Sequence, residues 1–235
     1  MKQYADLFID LDDTLYDTRG NAIIALCELY DMLHLERYFS YPETFYTEYW
    51  NTNVDLWALY AHGEITRDYL IVERFRRPLA LGKGINPTRE YCLEVSDKFL
   101  ELCASKSGVI DGAHELLRHL RGKGYRMHIC SNGFHEVQYK KMKAAGLYDY
   151  FDTIILSEDA GANKPSQQFF DYALQKTGAN PSSTLMIGDN YNTDIIGAQN
   201  AGIDTMLFNR WDPTFKPETH VDYIVPTLKE ITTIL

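Results

Sequence analysis

Asp10, Asp12 and Thr14 stand at alternate positions just after an apolar run, residues 5–9, that reads as a buried strand. Carboxylates two residues apart at the end of such a strand are costly to bury unless something binds between them. A divalent metal and a phosphoryl group are the obvious candidates. The triplet could supply a nucleophile, a proton donor and hard oxygen ligands for a cation. The plain alternative is a strand ending in an acidic turn, because Asp and Thr both favour turns. With about one in twenty for each specified residue, Asp-x-Asp-x-Thr arises by chance in roughly 3% of chains of this length. The triplet therefore needs partners.

Three further signals follow in chain order. Ser131 lies after the apolar Cys130, and its hydroxyl, with the N–H groups of Asn132 and Gly133, suits an anion at a helix start. Taken alone it is better read as a helix cap. Lys164 precedes Pro165, and a lysine fixed there can neutralise a nucleophile–phosphate pair as a point charge, although most loop lysines are simply solvated. Gly188-Asp189 leaves a strand, and Asp194 opens the next helix. Two carboxylates at such a junction suit Mg²⁺, and equally describe a turn followed by an acidic cap. All four signals fall in one order, each at the end of an expected strand.

The elements that must carry them alternate. Strands are expected over 126–130, 153–156, 184–187, 205–208 and 223–225, with helices over 134–145, 167–177, 194–201 and 227–235. Strands separated by such helices imply βαβ units, an α/β class and a mostly parallel sheet, with ligands beyond the carboxyl ends of its strands. Between the first strand and this series, residues 17–107 carry only helical spacing, over 22–35, 45–60, 65–75 and 91–103. They read as a helical insertion.

The bulk numbers narrow the class. The chain of 235 residues has a net charge of −10 and no basic block, which argues against a nucleic-acid polymer as partner. A phosphorylated substrate must then be drawn in by a local cation. No apolar run approaches the ~18 residues of a membrane span. Cys27, Cys92, Cys103 and Cys130 lack ligand spacing, and the first residues lack a signal-peptide pattern, so a reducing cytoplasm is the expected location.

With these residues in place, the chain resembles the haloacid dehalogenase superfamily of aspartate-nucleophile phosphohydrolases. Asp10, Asp12, Thr14, Ser131, Lys164, Asp189 and Asp194 carry the resemblance. It implies a Rossmann-like core over residues 1–16 and 108–235, with the helical insertion 17–107 as a mobile cap. Ser131-Asn132-Gly133-Phe134 and Phe170-Asp171-Tyr172-Ala173-Leu174 look like the core of the pyrimidine 5′-nucleotidase branch. Leu56-Trp57 and His62-Gly63-Glu64-Ile65-Thr66 look like its cap.

The resemblance further implies roles. Asp10 would attack phosphorus and form an aspartyl phosphate, and Asp12 would protonate the leaving oxygen and then deprotonate water. Mg²⁺ would bind Asp10, the carbonyl of Asp12, Asp189 and Asp194. Thr14, Ser131 and the Asn132 amide would hold phosphoryl oxygens, and Lys164 would bridge Asp10 and phosphate. Asp13 should point away as a solvated turn residue. In the insertion, Trp57 and Tyr60 are expected to fill a helical core, and Arg67 and Lys83 to be solvated. The expected activity is a Mg²⁺-dependent phosphomonoesterase on a small phosphorylated substrate, a nucleoside monophosphate, in a monomer or weak homodimer. Its rivals are a sugar-phosphate phosphatase or phosphosugar mutase, a metal-free 2-haloacid dehalogenase, and a non-catalytic module that keeps the fold. Asp12 and Asp189 argue against the dehalogenase, which lacks both.

Overall fold

A computed structural model describes residues 3–235. In chain order its main elements are β1 (Asp6–Ile9), α1 (Thr18–Met32), α2 (Pro42–Ala61), α3 (Arg67–Leu79), α4 (Arg89–Ala104), α5 (Ala113–Gly122), β2 (Arg126–Ser131), α6 (His135–Ala144), β3 (Thr153–Leu156), α7 (Ser157–Ala160), α8 (Gln167–Thr177), β4 (Thr184–Gly188), α9 (Ile196–Asn200), β5 (Asp204–Phe208), β6 (Tyr223–Val225) and α10 (Leu228–Ile234). The chain divides into two compact units: Met1–Thr18 with Ser107–Leu235, and Arg19–Lys106.

The first unit is built on a sheet in the order β3-β2-β1-β4-β5-β6, every pair parallel. β1 and β4 are buried along their whole length, as expected of parallel strands covered on both faces. Side chains alternate between two apolar layers. Leu7, Ile9, Met127, Ile129, Leu185 and Ile187 enter one layer, and Phe8, Cys130, Ile155 and Met186 the other. From β1 the sheet grows one way through β2 and β3 and the other way through β4 and β5. The carboxyl end of β1 is thus a topological switch point, where ligands of such sheets bind.

Most elements match the periodic pattern, and α8 and β3 coincide with it residue for residue. α5 lies outside the expected elements, although Leu116, Leu117 and Leu120 form its buried stripe. The helix expected over 194–201 is also different. The chain first makes a wide π-helical turn over Tyr191–Ile195, and α9 follows. Such wide turns concentrate at functional sites.

The second unit is helical. Phe75 packs between Tyr49 and Phe99, with ring centroids 5.2 and 5.3 Å away, and Leu26, Leu29, Phe45 and Val95 fill the same core. Thr66 and Thr88 cap α3 and α4, each accepting the N–H of the residue three positions on. Trp57 and Tyr60 do not join this core: they are half-buried and meet edge to face at 5.6 Å. Trp57 is turned about 100° from the stripe of Phe45, Tyr49 and Leu56, whereas Tyr60 lies at its edge, one turn beyond Leu56. Lys83 is exposed, as expected, and Arg67 is half-buried. Among the described residues, no helix is long and apolar enough to cross a membrane.

Candidate active site

Asp10 continues β1 by one residue, its N–H donating to Ile187 O at 2.9 Å. The chain then winds back on itself. Leu11 O accepts the N–H groups of Leu15 and Tyr16, and Asp13 N–H donates to Tyr16 O at 2.8 Å. Asp13 sits at φ 60°, in the left-handed region that Asp tolerates better than most residues. It is not a freely solvated turn residue: Arg210, beyond β5, places Nη2 2.9 Å from its carboxylate and 3.6 Å from that of Asp17. The ion pair ties the β1 turn to the segment after β5.

Lys164 occupies the centre of the site. It is 2% exposed, and its Nζ lies 2.7 Å from Asp10 Oδ1, 2.7 Å from Asp194 Oδ1 and 2.6 Å from Cys130 O. Asn132 clamps the lysine from the end of β2. Its Nδ2 donates to Lys164 O at 2.9 Å and its Oδ1 accepts Lys164 N–H at 2.7 Å. This side-chain role for Asn132 was not among the expectations, which concerned its backbone amide.

Asp10, Asp189 and Asp194 each offer a carboxylate oxygen within 4.8 Å of one another. Thr14 joins two of them. Its Oγ1 donates to Asp10 Oδ2 at 3.1 Å and accepts Asp189 N–H at 3.1 Å. Thr14 is fully buried, so in this arrangement its hydroxyl ties the β1 turn to the β4 turn and does not face outward. Asp194 has both oxygens taken, by Lys164 and by Asn190 N–H at 3.1 Å. The glycine before Asp189 is needed for space: a Cβ on Gly188 would lie inside the Asp194 carboxylate, with Asp194 Cβ 2.7 Å away.

Ser131 and Asp12 form a second cluster. Ser131 Oγ accepts Gly133 N–H at 3.1 Å and Gln138 Nε2 at 2.7 Å. Asp12 Oδ1 accepts from Thr18 Oγ1 at 2.6 Å and Lys141 Nζ at 2.7 Å, and Oδ2 accepts from Gln138 Nε2 at 2.5 Å. Lys141 also lies over the Tyr16 ring, 5.4 Å from its centroid. Neither Gln138 nor Lys141 stands out in the sequence as a site residue. Their signal is the i,i+3 spacing that puts both on one face of the first helix after Ser131.

The charges have separable effects. Burial pushes the Asp10 carboxyl up to about 7, with Lys164 opposing and Asp194 and Asp12 adding to the rise. Asp189 is raised well above its ordinary value, chiefly by burial and then by Asp10 and Asp194. For Asp12, burial acts upward, but the Lys141 ammonium and the donors from Thr18 and Gln138 outweigh it and hold the group below the usual carboxylate range. Burial opposes the Lys164 charge, yet Asp10 and Asp194 overcome it and keep the ammonium firmly protonated. One lysine thus does not neutralise three crowded carboxylates. The surplus negative charge on hard oxygens fits a divalent cation of the Mg²⁺ type.

Comparison with known proteins agrees with this geometry. The haloacid dehalogenase-like hydrolase family model matches residues 7–202. The HAD-hydrolase YfnB of Bacillus subtilis is 31% identical over 233 residues, covering 97% of this chain and 91% of that protein. Its magnesium-bound crystal structure superposes with a TM-score of 0.88 at 29% identity, over 100% of this chain and 99% of that one. The pyrimidine 5′-nucleotidase YjjG of Escherichia coli is 33% identical, with 86% of this chain and 85% of YjjG covered. A glyceraldehyde 3-phosphate phosphatase of Methanothermobacter thermautotrophicus is 30% identical, with 86% and 84% covered. The chain belongs to the haloacid dehalogenase-like hydrolases.

Proposed function

We propose that this hydrolase is a Mg²⁺-dependent phosphomonoesterase that works through an aspartyl phosphate on Asp10, with nucleoside 5′-monophosphates as its substrate class. The observation that carries this reading is the junction of Asp10, Lys164, Asp189 and Asp194 at the switch point of the sheet, one strand from Ser131. Asp10, the Asp12 carbonyl, Asp189 and Asp194 would hold the metal. Bound there, Mg²⁺ supplies charge neutralisation between nucleophile and phosphate dianion.

The protein's own groups do the rest. Asp10 attacks phosphorus, the P–O bond to the leaving alcohol breaks, and Asp12 gives that oxygen a proton. Asp12 then takes a proton from the water that attacks the aspartyl phosphate, which releases inorganic phosphate and regenerates Asp10. Its depressed pKa keeps it ionised and so able to accept that proton. The first step is served when an arriving phosphate dianion raises its proton affinity. Lys164 screens Asp10 from the phosphoryl group as a fixed point charge. Ser131 donates to a phosphoryl oxygen. Thr14 positions Asp10 and Asp189 in place of a direct phosphate contact. The helical unit, residues 19–106, has the place in the chain of the cap that the resemblance implies, and substrate selection is assigned to it.

The nucleotide class is supported by the core tetrapeptide Ser131–Phe134 and by the 33% identity to a pyrimidine 5′-nucleotidase. The sugar-phosphate reading is supported by the 30% identity to a glyceraldehyde 3-phosphate phosphatase. A panel of nucleoside 5′-monophosphates, sugar phosphates, p-nitrophenyl phosphate and 2-chloropropionate, each with Mg²⁺ and with EDTA, separates the readings. Mg²⁺-dependent phosphate release, fastest per unit concentration with nucleoside monophosphates, is expected. Faster turnover of sugar phosphates would replace the nucleotide class, and EDTA-resistant halide release would overturn the phosphatase reading. Asp10→Asn should remove turnover and leave the circular dichroism spectrum unchanged.

A further inference from the structure

We infer that Gln138 is a positioning residue of this site, setting the proton of Ser131 and the carboxylate of Asp12 through one side-chain amide. The inference rests on the roles proposed above for Ser131 and Asp12, and three observations carry it.

The first is the use of both amide hydrogens. Gln138 Nε2 donates to Ser131 Oγ at 2.7 Å and to Asp12 Oδ2 at 2.5 Å. Ser131 Oγ also accepts Gly133 N–H at 3.1 Å. A serine hydroxyl has two acceptor lone pairs and one hydrogen. With both lone pairs occupied, the hydrogen is left to donate, which is what an anionic substrate oxygen requires.

The second is the fit of Gly133. A Cβ there would collide with the Gln138 amide and stand 2.7 Å from its Cγ. Gly133 is therefore the residue that makes room for Gln138, and the Ser131-Asn132-Gly133 segment and α6 are matched to each other.

The third is an orphan. Gln138 is fully buried, and among the described residues its Oε1 has no hydrogen-bond partner. An unsatisfied buried acceptor is unfavourable. A leucine or methionine would fill the same space without it, so packing alone does not explain a glutamine. The two donors do.

The consequence is a physical link between the group that meets the phosphate and the group that handles the proton. Lys141, one helical turn on, completes the hold on Asp12 from the other oxygen.

The test uses Gln138→Leu and, should that variant fold poorly, Gln138→Met. Inorganic phosphate serves as the probe, read as its inhibition constant against p-nitrophenyl phosphate with saturating Mg²⁺. Loss of one oriented donor to a charged group should weaken phosphate binding about tenfold. The loss of turnover should be larger, because Asp12 is released as well. In the Ser131→Ala background the same change at position 138 should leave phosphate binding unaffected, since Gln138 acts on phosphate through Ser131. A wild-type phosphate constant in Gln138→Leu would overturn the inference. So would a loss that persists in full without the serine hydroxyl. Failure of the parent reading shows separately, as turnover surviving in Asp10→Asn.

Discussion

With no cation at the acidic cluster, this protein should become less stable as pH rises, and Asp10 sets the size of the effect. Its carboxyl is raised from 3.8 to about 7, first by burial, against the opposing charge of Lys164. A carboxyl whose folded pKa lies above its unfolded value binds a proton more tightly in the native state. Its stabilising contribution is complete below about pH 4 and disappears as pH climbs through about 7. One pKa unit corresponds to ~1.4 kcal/mol, so the interval amounts to about 4 kcal/mol, of which about 3 falls between pH 5 and pH 8. For a chain of this size that is about 6–12 °C of melting temperature. Asp189 is raised by the same causes and adds to the trend. Asp12 does not contribute in this window. Its pKa is depressed, against burial, by Lys141, so its contribution is present throughout and is lost only at lower pH. The assay is thermal unfolding in EDTA from pH 5 to pH 8.5, with Asp10→Asn as the reference so that other titrating groups cancel. Wild type should fall relative to the variant as pH rises, and Mg²⁺ should abolish the fall, because a cation at the cluster keeps Asp10 ionised. A difference that is flat, or that grows in favour of wild type, would refute the reasoning.

Lys164→Met should cost about 3–5 kcal/mol of stability in the metal-free protein, since removing one partner leaves buried carboxylates uncompensated; chemical denaturation with and without Mg²⁺ measures this. Turnover should fall at least a hundredfold in the same variant, on the scale of a lost electrostatic stabiliser. Gly188→Ala drives a Cβ into the Asp194 carboxylate, so it should destabilise by about 1–3 kcal/mol. Its Mg²⁺ requirement, read by titrating activity, should shift upward, with rate recovered at high Mg²⁺. Asp12→Asn should lower turnover by about 10²–10⁴, the usual worth of a general acid–base group. Asp13→Asn should change turnover less than about threefold and stability by less than about 1 kcal/mol, as befits a partly exposed pair with Arg210. Equal effects at the two positions would reverse the assignment.

Much of this arrangement is legible in the chain because it is local. β1 and β4 are short continuous apolar runs, and Asp10 and Asp189 follow them directly, so strand ends and acidic residues are read together. α8 is bounded by its own cap, Ser166, and by Gly178 in the left-handed region. The parts that stay hidden depend on partners chosen in three dimensions. Gln138 and Lys141 look like ordinary polar positions of a helix until Asp12 comes to lie beside them, 126 and 129 residues away in sequence. Arg210 meets Asp13 across 197 residues, and no spacing announces it. Thr14 reads as an outward hydroxyl, but the burial of its turn gives it Asp10 and Asp189 as partners. The wide turn at Tyr191–Ile195 has no composition signature, and the helical pattern simply runs through it.

The strand that ends at Asp10 is the first among the described residues and lies at the centre of the sheet. Asp10 must find Lys164 across 154 residues, and Thr14 must find Asp189 across 175. Closing loops of that length carries an entropy cost that contacts between neighbouring strands do not, so the topology makes the contacts of β1 among the slower to form. Strands β2 and β3, by contrast, are neighbours in both sequence and space. During synthesis the buried acids therefore stay dispersed until the chain has grown past β4. The crowded cluster of Asp10, Asp189 and Asp194 can exist only once β4 has been made and the sheet has closed around β1.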